Sequence, residues 1–113
     1  MTRVFYDREG LCLRMKGHAG AGEAGGDLVC AALSMLMMAI ERRAVEMSGR
    51  FRPVICRGAG CFMIQCAPEE RDEGLCRESF DTIAAGVAAL SENRPEYVSL
   101  TLENGETDEE EEG

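Results

Sequence analysis

Val4 and Tyr6 alternate with Phe5 and Asp7, and beyond Arg8-Glu9-Gly10 a second alternation sets Leu11, Leu13 and Met15 against Cys12, Arg14 and Lys16. A period of two on either side of a turn predicts a β-hairpin. The segment from Gly17 to Gly26 then carries five glycines in ten residues, Gly17, Gly20, Gly22, Gly25 and Gly26. No helix or strand interior tolerates that density, so a flexible loop is expected. Asp27 reads as the N-cap of a long helix, because its carboxylate can accept from the backbone N–H groups two and three residues on. Helix formers continue to about Met47. Over the first three turns Leu28, Val29, Leu33, Leu36, Met37 and Ile40 surround the axis. A helix apolar on so many sides needs cover from sheet, second helix or partner subunit.

After Ser48-Gly49 the period returns to that of strands. Val54 to Arg57 and Cys61 to Cys66 are short apolar runs on either side of Gly58-Ala59-Gly60, a second hairpin that Ala67-Pro68 ends. Cys76, Phe80, Ile83, Ala84, Val87 and Leu90 then recur at helical spacing until about Asn93, just before Pro95. Val98, Leu100 and Leu102 make a last strand. The resulting order is ββαββαβ, an α+β fold with two helices on a mixed β-sheet.

With 113 residues, the chain has room for one domain. The formal net charge of -9 is unevenly placed, since Glu103, Glu106, Asp108 and Glu109 to Glu112 supply seven acids within the last eleven residues. We therefore expect a domain over residues 1–103 and an acidic disordered tail over 104–113. Such a tail solubilises, or weakly steers a basic protein substrate, and it argues against nucleic-acid binding. No secretory leader or membrane-spanning run is apparent, which makes the cytoplasm the expected location. Six cysteines in an exported chain would suggest a disulfide framework, but without an export signal reduced thiols are expected. Cys56, Cys61, Cys66 and Cys76 contain no CxxC pair and His18 is the sole histidine, so no metal site is expected.

Chemistry is best sought between His18 and Cys30. With Asp27 as cap, Cys30 would occupy the third helical position, where unpaired N–H groups and the helix dipole favour a thiolate. An imidazole within hydrogen-bond reach could take the thiol proton and later protonate a leaving amine. First-turn N–H groups could serve as an oxyanion hole. Buried cysteine is also a common small core residue, and spacing alone leaves catalysis the minority reading. Asp27 has the structural role of a cap and, secondarily, that of orienting His18. Ser34 lies one turn after Cys30, placed either to hydrogen-bond near the thiolate or to return to a backbone carbonyl. Gly20, Gly22 and Gly25 fit G-x-G-x-x-G, but no βαβ context supports a nucleotide site.

Gly17-His18-Ala19, the glycine-rich segment, and Gly26-Asp27-Leu28-Val29-Cys30-Ala31-Ala32 with Ser34 resemble the signature of the ribosomal-processing cysteine protease (Prp) family. The resemblance implies a nucleophile at Cys30, a general base and acid at His18, and supporting roles for Asp27 and Ser34. It implies a homodimer without metal or organic cofactor. The implied substrate is the N-terminal extension of a large-subunit ribosomal protein, cut after an aromatic residue in bacteria. Family members often carry bulkier residues where this chain has Gly20-Ala21-Gly22-Glu23-Ala24, so the loop is expected to close only on the peptide. The alternative is a non-enzymatic ribosome-associated assembly protein that binds basic ribosomal proteins.

Overall fold

The computed structural model describes residues 1–17 and 24–103. The elements run β1 (Thr2–Asp7), β2 (Cys12–Lys16), α1 (Ala24–Glu46), α2 (Ser48–Phe51), β3 (Pro53–Gly58), β4 (Cys61–Cys66), α3 (Glu70–Asn93) and β5 (Val98–Glu103). This is the expected ββαββαβ order with one short helix added. Four residues are too few for a periodic signal. Helix α2 exists because Phe51 is wholly buried and because Arg52, in the left-handed region at φ 52°, returns its N–H to the Ser48 carbonyl. Pro53 then starts β3.

The strands form one mixed sheet in the order β3-β4-β2-β1-β5. Neighbours are antiparallel except β1 and β5, which run parallel with Thr2 opposite Val98 and Asp7 opposite Glu103. Period-two alternation sends Val4, Tyr6, Leu13, Phe62 and Ile64 to the face that the helices cover. Val29, Leu33, Met37, Ile40 and Ala44 meet them from α1, and Cys76, Phe80, Ile83, Ala84 and Val87 from α3. Each of the larger side chains contributes about 1.5–3 kcal/mol by burial. Gly86 brings the two long helices together, since a Cβ there would lie 2.9 Å from a Leu36 methyl.

Helix α3 begins at Glu70, earlier than its apolar spacing suggests. Glu70, Asp72 and Glu73 occupy its first turn, where acids complement the positive end of the dipole. Asp72 is buried and receives Arg50 at 2.7 Å. Glu103, counted above with the acidic run, is the last residue of β5. It is buried and accepts from Arg14 at 2.9 Å, while Arg14 also lies over the Phe5 ring at 5.0 Å. Residues 104–113, where a disordered tail is expected, lie outside the described residues.

Candidate active site

Strand β2 delivers the chain to the site through Gly17. Its φ is +99°, and a Cβ placed there would stand 2.5 Å from the Met1 carbonyl oxygen. Only glycine satisfies both conditions. The Gly17 N–H donates to the Gly60 carbonyl at 2.8 Å, so the β3–β4 turn also holds this point. His18 follows in the chain and lies outside the described residues, as do Gly20 and Gly22. The expected closure of that loop therefore has no structural counterpart here.

Across from β2 stands α1, and its start corrects three expectations. The helix begins at Ala24, so Gly25 and Gly26 belong to its first turn and not to a loop, and Asp27 is a first-turn acid and not the cap. Glycine is cheap at that point because the first N–H groups of a helix have no intrahelical partner to lose. Gly26 is buried. Cys30 is thus the seventh helical residue and not the third. The unpaired N–H groups belong to Ala24 through Asp27, one turn back. Helical side chains lean toward the N-terminus, which directs Cys30 over that turn.

Asp27, Cys30 and Ser34 follow one another at helical i, i+3, i+7 spacing on one stripe of α1. Asp27 and Ser34 are exposed, while Cys30 is half-buried and packs, like Met15, against the edge of the core. Next to Ser34 the stripe borders a recess of about 190 Å³ whose lining includes Met15, Met37, Met38 and Phe62. Met15 and Phe62 face one another across β2 and β4. Glu41 and Arg57 form an ion pair at the same recess. The structure therefore places Asp27, Cys30 and Ser34 on one stripe of α1, and of these Ser34 shares the recess with Met15 of β2.

A family model, described as cysteine protease Prp, matches residues 1–99. The chain belongs to this family of cysteine proteases. The Prp fold is also found in solved structures. The essential ribosomal processing protease Prp of S. aureus, crystallised with a substrate peptide, superposes with a TM-score of 0.74 at 23% identity, covering 91% of this chain and 100% of that one. The same S. aureus protease with a covalently linked product peptide gives 0.72 at 24% identity, over 90% and 97% of the two chains. The SMU.848 protein of Streptococcus mutans gives 0.68 at 23% identity, over 91% and 92%. Comparison with curated proteins returned no match.

The other cysteines divide by environment, and none of the six is in a disulfide. Cys66 and Cys76 are core residues of β4 and α3. A hydrogen bond between their thiols pushes Cys66 up, with burial adding to it, and the same bond moves Cys76 down. Cys56 and Cys61 are exposed on the sheet. Sequence reasoning missed the recess, although the closely spaced Met35, Met37 and Met38 were a signal of soft, adaptable surface.

Proposed function

We propose that this protease is an endopeptidase that removes an N-terminal extension from a large-subunit ribosomal protein, cutting after an aromatic residue, with Cys30 as nucleophile and His18 as general base and acid. The supporting observation is the shared recess. Met15, three residues before His18, and Ser34, one turn after Cys30, line the same hollow. The family signature supplies the rest.

In the proposed reaction His18 takes the Cys30 proton, and the sulfur attacks the carbonyl carbon of the scissile bond. N–H groups of Ala24 through Asp27 are the donors assigned to the oxyanion. Collapse of the intermediate breaks the C–N bond, the amine leaves with the proton from His18, and a thioester remains on Cys30. Water, deprotonated by His18, then hydrolyses the thioester and regenerates the thiol. Asp27 and Ser34 are assigned supporting roles on either side of Cys30. No step requires a metal or organic cofactor.

The S. aureus structures support a peptide substrate by analogy, since one holds a substrate peptide and another a covalently linked product peptide. A second copy of the chain is the proposed partner for the outer face of α1, where Leu28 is 74% exposed and Met35 63%. The cytoplasm is the proposed location. Among the described residues no helix is long and apolar enough to cross a membrane.

The test is cleavage of a peptide copying such an extension, followed by mass spectrometry, with wild type, Cys30→Ala and His18→Ala. The wild type should cut once, directly after an aromatic residue, and both variants should lose activity by several orders of magnitude. An intact peptide with the wild type would overturn the protease assignment to this substrate. Undiminished cleavage by Cys30→Ala would overturn the choice of nucleophile.

A further inference from the structure

Three sulfur atoms meet on the face of the sheet that the helices leave uncovered. Phe62 and Ile64 of β4 turn to the core, so alternation sends Cys61 and Met63 to the opposite face. Cys56 of β3 stands directly opposite Met63, and Gly58 opposite Cys61. Cys56, Cys61 and Met63, with Arg14 and Lys16 of β2, line a hollow of about 240 Å³. We infer that Cys56, Cys61 and Met63 form a binding site for one copper(I) ion, held by two thiolates and a thioether. The site uses no residue of the proposed catalytic machinery and does not depend on the protease reading.

Both thiols are exposed and neither is in a disulfide. The Cys61 sulfur lies over Gly58, since a Cβ placed on that glycine would be 3.4 Å from it. It therefore leans toward β3, the strand that carries Cys56. Cys56 and Cys61 are diagonal neighbours across the two strands, a relation that sets residues about 7–8 Å apart. Cα atoms more than about 7 Å apart cannot be joined by a disulfide without backbone movement. An ion between the two sulfurs, with metal–sulfur bonds of about 2.3 Å each, spans the longer gap. Met63 is next to both thiols, opposite Cys56 and two residues beyond Cys61, and its flexible side chain can bring the thioether to the same point.

The donor set selects the ion. Thiolates and thioethers are soft ligands that favour copper(I), whereas zinc takes four nitrogen, oxygen or thiolate donors in a tetrahedron. Among the described residues no histidine or carboxylate joins the two thiols to complete such a set. Binding sends both thiol protons to solvent, and one cation with two thiolates carries one net negative charge. Lys16, opposite Cys61, places an ammonium beside that charge. No metal-binding spacing announces the site in the sequence, because its donors come from two strands and one of them is a methionine.

The test presents copper(I), in the absence of oxygen, as its complex with a coloured chelator. The full chain carrying Cys30→Ser, which removes a competing thiol, should take up one equivalent. In that chain and in the wild type the ion should shield Cys56 and Cys61 from alkylation, mapped by mass spectrometry, and zinc should not. Cys56→Ser and Cys61→Ser should each weaken binding by more than about 100-fold, beyond the loss typical of groups that stand behind the ligands. Met63→Leu, which keeps the shape, should weaken it by about 10-fold. Thermal unfolding of the metal-free variants checks the fold. Cys56 and Cys61 that alkylate equally fast with and without copper(I) in the wild type would overturn the site without recourse to any variant. Equal protection by zinc would overturn the choice of ion, and undiminished binding in Met63→Leu would overturn the three-sulfur donor set.

Discussion

Gly17 carries more of the site than its lack of a side chain suggests. Alanine there would have to hold a positive φ and push its Cβ into the Met1 carbonyl, so Gly17→Ala should cost about 1–3 kcal/mol and shift the start of the segment containing His18. Urea unfolding measures the first effect. Peptide cleavage by the fraction that remains folded measures the second, which should fall at least 10-fold, because small misplacements near reacting groups are costly. At the far end of the sheet Asp81 plays a purely structural part. It accepts the Tyr6 hydroxyl proton at 2.6 Å and two Arg8 contacts at 3.1 Å, and so ties the hairpin to α3. Burial opposes its carboxylate, but the hydrogen bonds from Arg8 and Tyr6 prevail and hold its pKa below the ordinary value. A depressed carboxylate contributes stability above its unfolded pKa, about 3.9, and loses it as pH falls through the lower folded value. The unfolding midpoint should therefore drop below about pH 4, and Asp81→Asn should flatten that drop. Because Arg8 is largely exposed, solvent screening keeps the effect small.

Among the elements, helix α1 shows how far pattern reading extends. The apolar residues from Leu28 to Ile40 announced a helix, and the alternations at Val4 and Leu11 announced strands, because periodicity is a local property. The start of α1 was not legible. Five glycines looked like uninterrupted loop, yet Gly25 and Gly26 stand where a helix loses least by having them. Cys30 was expected at the third position of this helix and lies at the seventh, because spacing alone does not fix where a helix starts. Helix α3 offers a test of glycine in the opposite setting. Gly74 sits in its interior with nothing within 4 Å of an added Cβ, so Gly74→Ala should stabilise by about 0.5–1 kcal/mol. Gly86→Ala should gain less, because the Leu36 side chain must move aside. Thermal or urea unfolding of both variants decides whether close helix packing outweighs propensity at Gly86.

On the scale of the whole molecule, the strand order and the recess were the illegible parts. The parallel pairing of β1 with β5 joins segments almost a hundred residues apart in the chain, and no local pattern encodes a partner at that distance. For the same reason the recess was invisible, since Met15, Met38 and Phe62 come from three different elements. The expected surplus of apolar surface on α1 was legible, and the structure leaves Leu28 and Met35 exposed on it. If a second copy covers that face, Met35→Glu should convert a dimer to a monomer in sedimentation experiments while leaving the unfolding cooperative. A wild type that sediments as a monomer at micromolar concentration would remove the dimer from the proposal.

The parallel alignment of β1 and β5 also governs how the protein can be handled. Met1 touches Gly17 at one end of the sheet, whereas Glu103 ends β5 beside Asp7 at the other, about 17 Å away at the rise of a strand. A purification tag or fluorescent label fused ahead of Met1 would be laid against the approach to His18 and would disturb the measurement it was meant to enable. The last described residue, Glu103, leaves the sheet at the opposite end, so the carboxyl side is where reporters, resins and surfaces should be joined.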